Sequence, residues 1–185
     1  MYLDFEKGSL KMKILIAYSS ATGTVAECAE ILKNMLSGHE VTLADLSREL
    51  PSPEGYDFVA VGGHIRKNKL DKNCADYLAK KGAELSNGKW GGFICCGYLD
   101  SADEYIRDEI PADLCDKAAI LTCFGGSLKP KAVKGLERIR VKMMMNYILD
   151  DGNRDGEQVN RSLPEIHIDA ISRFATVIKE TFGKN

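Results

Sequence analysis

Residues Lys13 to Leu36, KILIAYSSATGTVAECAEILKNML, combine three patterns in an order that few folds accommodate. Ile14, Leu15, Ile16, Ala17 and Tyr18 form an apolar run, read as a short buried strand. Small or hydroxylic residues follow: Ser19, Ser20, Ala21, Thr22, Gly23 and Thr24. Val25, Cys28, Ala29, Leu32 and Leu36 then recur at three- and four-residue spacing, which predicts a helix. The first N–H groups of a helix lack intrahelical acceptors, and the aligned peptide dipoles favour negative charge there. A strand that feeds such a loop into a helix start therefore makes an anion site. The hydroxyls of Ser20, Thr22 and Thr24 add donors, and Gly23 lets backbone approach a phosphate closely. The loop holds no Lys or Arg, so a phosphate here is gripped by neutral groups. That suits a retained cofactor better than a nucleotide being hydrolysed. The plainer alternative is a helix capped by Ser or Thr after a strand. Neither a Gly-Lys-Ser/Thr phosphate loop nor a Gly-x-Gly-x-x-Gly pattern is present.

The rest of the chain repeats the alternation. Glu40 to Ala44 reads as a second strand, and Asp57 to Val61 as a third ending at Gly62 and Gly63. Residues 70–84 read as a helix with Leu70, Cys74, Tyr77 and Leu78 on one face. Trp90 to Cys96 is a fourth strand ending at Gly97. Asp100 to Cys115 reads as a helix that Pro111 should break. Ala118 to Phe124 is a fifth strand ending at Gly125 and Gly126. The last helix spans Ile166 to Phe182, with Ile168, Ile171, Phe174, Ala175 and Ile178 facing inward. Five strands alternating with helices predict an α/β fold, a doubly wound five-stranded parallel sheet with helices on both faces. Ligands in such sheets sit beyond the carboxyl ends of the strands, where the strand order reverses. The glycine-bearing strand ends then read either as a cradle for a flat ring or as simple turns.

Residues 1–11 read as an N-terminal extension without the apolar core of a secretory signal, and residues 12–185 as one domain. A net charge of −2 gives no case for nucleic acid, and no apolar run approaches the ~18 to 20 residues needed to cross a membrane. The six cysteines form no Cys-x-x-Cys; they are expected to be reduced structural thiols of a cytoplasmic protein. Cys95 and Cys96 are adjacent and should point to opposite faces of their strand. No metal site is expected.

The segment YSSATGTVAE resembles the phosphate loop of flavodoxins, Ser/Thr-x-Thr-Gly-x-Thr. Ser20, Thr22 and Gly23 fall on the matching positions, Thr24 on the variable one, and Val25 replaces the last threonine. The resemblance implies FMN, with its phosphate on Ser19, Ser20, Ala21, Thr22, Gly23, Thr24 and Val25. It also implies that the loops after the third and fourth strands flank the isoalloxazine. By position these are Gly63, His64, Ile65 and Arg66, then Gly97, Tyr98 and Leu99, with Gly125 and Gly126 nearby. Tyr98 would stack on the ring or remain a loop tyrosine. His64 would titrate near the flavin or face solvent. Asp100, Asp103 and Glu104 would lower the flavin potential if close, or simply suit a helix start.

Residues 127–165 make an insert before the last helix, far longer than the usual connection. Lys131 to Leu149 reads as a basic, methionine-rich amphipathic helix, either packed on the domain or placed at a membrane surface. Asp150, Asp151, Asp155 and Glu157 lack the ligand order of a calcium loop. GGHIRKNKL, FGGSLKP, the basic insert and DGEQVN together resemble the flavodoxin-type protoporphyrinogen oxidases, which use FMN and menaquinone at the membrane. The chain departs from them in its near-neutral charge and in Val25. Three functions follow as expectations: an FMN-dependent oxidoreductase linked to a quinone or porphyrinogen, a one-electron carrier docking to a redox partner protein, or a flavin-free interaction domain. Peripheral membrane contact through residues 131–149 belongs to the first.

Overall fold

The computed structural model describes residues 11–97, 99–127 and 164–182, together with positions 135, 138, 139, 142, 143, 145 and 146. Its five parallel strands are β1 (Lys13–Tyr18), β2 (Glu40–Asp45), β3 (Phe58–Arg66), β5 (Trp90–Cys95) and β6 (Leu121–Cys123). They lie in the order β2-β1-β3-β5-β6, and the short strand β4 (Lys69–Leu70) pairs antiparallel with the end of β3. The helices are α1 (Thr24–Met35), α2 (Lys72–Asn87), α3 (Ala102–Glu109), α4 (Ala112–Cys115) and α5 (Ile168–Glu180), with a 3-10 turn at Leu99–Ser101. This is the doubly wound parallel sheet that the alternating pattern predicts.

Two-residue periodicity explains the continuous apolar strands. Ile14 and Ile16 of β1, Phe58 and Ala60 of β3, and Phe93 and Cys95 of β5 enter one core with α1 and α5. Leu15 and Ala17, Val59 and Val61, and Ile94 and Cys96 enter the other, with α2, α3 and α4. Each large side chain so buried stabilises the fold by about 1.5–3 kcal/mol. The predicted inward faces of α1 and α2 are buried as expected, and Cys95 and Cys96 do take opposite faces.

Several expectations need correction. Ile168 is 49% exposed, because it opens α5 before the helix settles on the sheet at Ile171. The break expected at Pro111 is present and divides that stretch, Asp100 to Cys115, into α3 and α4, as its missing N–H requires. The largest difference is at β3, which does not stop at Val61 but continues through Gly62, Gly63, His64 and Ile65 to Arg66. Lys67 and Asn68, with φ of 53° and 59°, then turn the chain into β4. Two consecutive positive φ values make a tight hairpin whose twist matches the flanking strands.

The 1–11 extension, apart from exposed Lys11, lies outside the described residues, as do residues 147–163. Within the expected 131–149 helix, the described positions are helical. Among the described residues, no helix is long and apolar enough to cross a membrane.

Candidate functional site

The strand order places β1 between β2 and β3, with β3 at the centre of the sheet. From β1 the chain leaves into α1, which covers one face, and from β3 it leaves towards α2, which covers the other. The two exits diverge, opening a crevice at the carboxyl ends of β1 and β3. The loop after β1 lies at this crevice.

Its first residue is a fixture. Ser19 is 3% exposed; its N–H donates to the Gly62 carbonyl at 2.9 Å, and its Oγ accepts from Asn73 Nδ2 at 3.3 Å. The loop is thereby tied to β3 and to the start of α2. Ser20 Oγ accepts the Gly23 N–H at 3.1 Å, which closes the loop on itself and leaves the hydroxyl proton available to donate. Ala21 is exposed and Thr22 half-buried. Gly23 caps α1 with φ 91°, a conformation glycine adopts without the steric cost a Cβ brings, and among the described residues no atom lies within 4 Å of where a Cβ would stand. The first turn of α1 thus presents its N–H groups to an open approach.

Two residues of the expected phosphate loop are turned elsewhere. Thr24 is 6% exposed, and its hydroxyl donates to the Ser127 carbonyl at 3.2 Å. Val25 is 1% exposed and packs in the core beneath α1. A threonine hydroxyl at position 25 would be buried there, so Val25 gives up a side-chain donor and gains core packing. The remaining donors are backbone N–H groups with the hydroxyls of Ser20 and Thr22, a set that fits a phosphate.

Gly63, His64, Ile65 and Arg66 do not form a loop; they are the end of β3. A Cβ on Gly62 would overlap the Phe93 ring, and one on Gly63 would come within 2.9 Å of Cys74 and Leu70. The glycines of β3 make room for the protein's own side chains. His64 Nδ1 is buried, 3.9 Å from Asp71 Oδ2 and without a hydrogen bond among the described residues. Asp71 caps α2, its Oδ1 accepting from the N–H groups of Asn73 and Cys74. Ile65 is half-buried and Arg66 pairs across the hairpin with Lys69.

Gly97 is half-buried, directly after β5 and Cys96. Tyr98 lies outside the described residues, and Leu99 opens the 3-10 turn. Asp103 and Glu104 stand exposed in the first turn of α3, the solvated helix-start placement. Gly125, with φ 79°, forms an antiparallel bridge with Ile166, and its Cβ would strike the Glu165 carbonyl. Gly126 donates to that same carbonyl at 3.1 Å and packs on the Cys96 backbone. These glycines accommodate the returning chain before α5.

Several site-end residues have no counterpart in the sequence expectations. Asn73 anchors Ser19, and Asp71, the N-cap of α2, is the local sequence signal that could have placed it at the helix start. Glu109 accepts from Lys69 Nζ at 2.7 Å and from the Leu70 N–H at 3.0 Å, pinning the hairpin to α3. Cys96 and Cys123 bring their sulfurs to 3.5 Å, a proximity that only the pairing of β5 with β6 creates. Among the described residues no cluster could hold a metal ion.

A sequence-family model described as a flavodoxin domain matches residues 15–155. No curated protein matches the chain significantly. Among solved structures, the chain is similar to a Fusobacterium nucleatum flavodoxin bound to flavin mononucleotide, at 10% identity and TM-score 0.52, over 92% of this chain and 99% of that one. A flavodoxin from the domain Archaea is 16% identical over 72% of this chain and 93% of its own, with TM-score 0.46. The rubredoxin oxygen:oxidoreductase from Desulfovibrio gigas is 16% identical, with TM-score 0.42; the match covers 71% of this chain and 34% of that one. The chain therefore spans about a third of the Desulfovibrio protein.

Proposed function

The chain belongs to the flavodoxin domain family, and from that premise we propose that it binds FMN and acts as a flavin-dependent oxidoreductase. The observation that carries this reading is the start of α1 at the switch of strand order, with Gly23 at φ 91° facing no atom of the described residues within 4 Å. The phosphate of FMN is held by the N–H groups of that first turn and by the hydroxyls of Ser20 and Thr22. Ser19 and Asn73 keep the loop in register with β3. When bound, the flavin supplies the redox chemistry, and the protein sets its position and access.

A second, finer reading follows the resemblance to protoporphyrinogen oxidases: electrons from an organic donor pass to a quinone at a membrane surface. It is favoured by Ile139 and Met143, four apart on helical positions, 55% and 65% exposed, beside exposed Arg138 and Lys142. An apolar pair flanked by cations fits an anionic lipid surface. A one-electron carrier needs no such face. Anaerobic reductive titration separates the two, since a carrier takes up electrons singly and a quinone-linked enzyme in pairs.

Titration of the apoprotein with FMN, followed by flavin fluorescence, tests the primary reading. The native chain should bind one FMN. Thr22→Asp should weaken binding at least about tenfold, because a carboxylate beside the phosphate costs several kcal/mol, whereas Thr22→Ser should bind nearly as the native chain does. Equal FMN affinity in T22D would move the phosphate off this loop. No binding by the native chain would overturn the flavin reading and favour the flavin-free interaction domain.

A further inference from the structure

Two pairs of cysteine sulfurs lie close together in this fold, and they differ in surroundings. Cys28 and Cys95 are both fully buried between α1 and β5, their sulfurs 3.8 Å apart. Cys96 and Cys123 stand at the carboxyl ends of β5 and β6, their sulfurs 3.5 Å apart, with Cys123 partly exposed. The Gly125 N–H donates to Cys123 Sγ at 3.3 Å, a bond set by the positive-φ turn that follows β6. The Cys96 and Cys123 thiols are also within hydrogen-bond distance of each other.

We propose that Cys123 and Cys96 form a redox-active dithiol, with Cys123 the attacking thiolate and Cys96 the resolving thiol, and that its substrate is a low-molecular-weight disulfide. The step balances without a further co-reactant. Cys123 Sγ attacks one sulfur of the small disulfide, forming a mixed disulfide and releasing one small thiolate. Cys96 loses its proton to solvent and attacks Cys123 Sγ, forming the Cys96–Cys123 bond and releasing the second small thiolate. Two protein thiols are oxidised and one disulfide is reduced to two thiols.

The geometry separates Cys123 from the other thiols. Its hydrogen bond from Cys96 and those of the Gly125 and Cys96 N–H groups lower its pKa to about 7, against the opposing effects of burial and of Asp103 on α3. Burial, with Asp71 adding, pushes Cys74 up to about 12. Burial, Asp116 and Asp113 raise Cys115, which is also partly exposed. Thiolate fraction and access together decide which thiol exchanges. Closing from 3.5 Å to a bond of about 2 Å needs only a modest movement, and Cys96 lies just beyond the end of β5. The device requires no flavin, so it stands apart from the FMN reading.

The full-length protein, incubated with oxidised glutathione at neutral pH, should fall from six free thiols to four. Peptide mapping should find the Cys96–Cys123 link. Cys96→Ser should stop at a glutathione adduct on Cys123, formed at least about tenfold faster than any adduct on Cys115. Cys123→Ser should keep its thiols free over the same period. Cys28→Ala, which removes the buried pair, should form the Cys96–Cys123 link as the native chain does. Six free thiols in the folded native protein, or a link between Cys28 and Cys95, would overturn the proposal. So would a Cys96→Ser protein whose adduct lies on another cysteine.

Discussion

The carboxyl ends of β1 and β3 lie side by side at one crevice, and both carry glycine, yet the glycines serve opposite ends. After β1, Gly23 turns the chain at φ 91° and faces no atom of the described residues. In β3, Gly62 faces the Phe93 ring and Gly63 faces Cys74 and Leu70. The first leaves room for something outside the chain; the others leave room for the chain itself. Glycine in a sequence announces a close approach or an unusual φ. Which group approaches is decided by partners seven to some thirty residues distant, and those appear only when the sheet is assembled.

The filled end is where substitution should cost most. Phe93 stacks on Phe124 with ring centroids 4.3 Å apart and an interplanar angle of 16°, and Phe124 meets Phe174 edge-on at 5.4 Å. A Cβ at position 62 therefore pushes into a ring that has nowhere to retreat. Gly62→Ala should destabilise the protein by about 1–3 kcal/mol, the range for overpacked cores, read as a lower urea midpoint with unchanged slope. Adding Phe93→Leu should recover part of the loss, a coupling that a double-mutant cycle resolves. A neutral Gly62→Ala would mean the two strand ends do not differ in this way.

Sequence periodicity carried the fold far because each central strand is apolar on both faces and each helix on one. Ile14 to Tyr18, Val25 to Leu36 and Ile171 to Ile178 all lie where that spacing puts them. The β1 loop was legible for a local reason: strand, small residues and helix are contiguous, so its geometry depends on few distant partners. The end of β3 was not. GGHIRKNKL offers glycines before a run of charges, which reads as a loop, whereas cross-strand pairing of Ile65 with Leu70 holds it as a hairpin. Asn68 in the tight turn was the available local signal. The Cys96 and Cys123 proximity had none, since 27 residues separate them and only the β5 and β6 register brings them together.

At the open end, the effect should be smaller in stability and larger in binding. Gly23→Ala meets no atom of the described residues, so its penalty is that of the left-handed backbone, about 1 kcal/mol. Because the same φ aims the first N–H groups of α1, FMN affinity should drop by roughly tenfold, equivalent to about 1.4 kcal/mol. Urea unfolding and FMN titration on one preparation measure both. A stability loss without a change in affinity would break the comparison, since the open glycine would then be structural as well.

The smallest effect tests whether the β3 end is a fixture or a loop held by charge. Glu109, at the end of α3, is one-tenth exposed and bonds both Lys69 Nζ and the Leu70 N–H. Burial works to raise its carboxyl, but those two hydrogen bonds and the Lys69 charge outweigh it and lower the pKa. A carboxyl with a depressed folded pKa contributes stability above its ordinary range, and that contribution disappears as pH falls through the folded value. Lys69 is 77% exposed, so solvent and salt screen much of the attraction. Glu109→Gln keeps an oxygen for the Leu70 N–H and removes the charge together with the acceptor that Lys69 Nζ bonds. It should lower the urea midpoint at neutral pH by less than Gly23→Ala does, and the difference from the native chain should vanish in acid. A deficit that persists in acid would assign the hairpin's hold to packing and hydrogen-bond shape, which would make the closed end of the crevice independent of charge altogether.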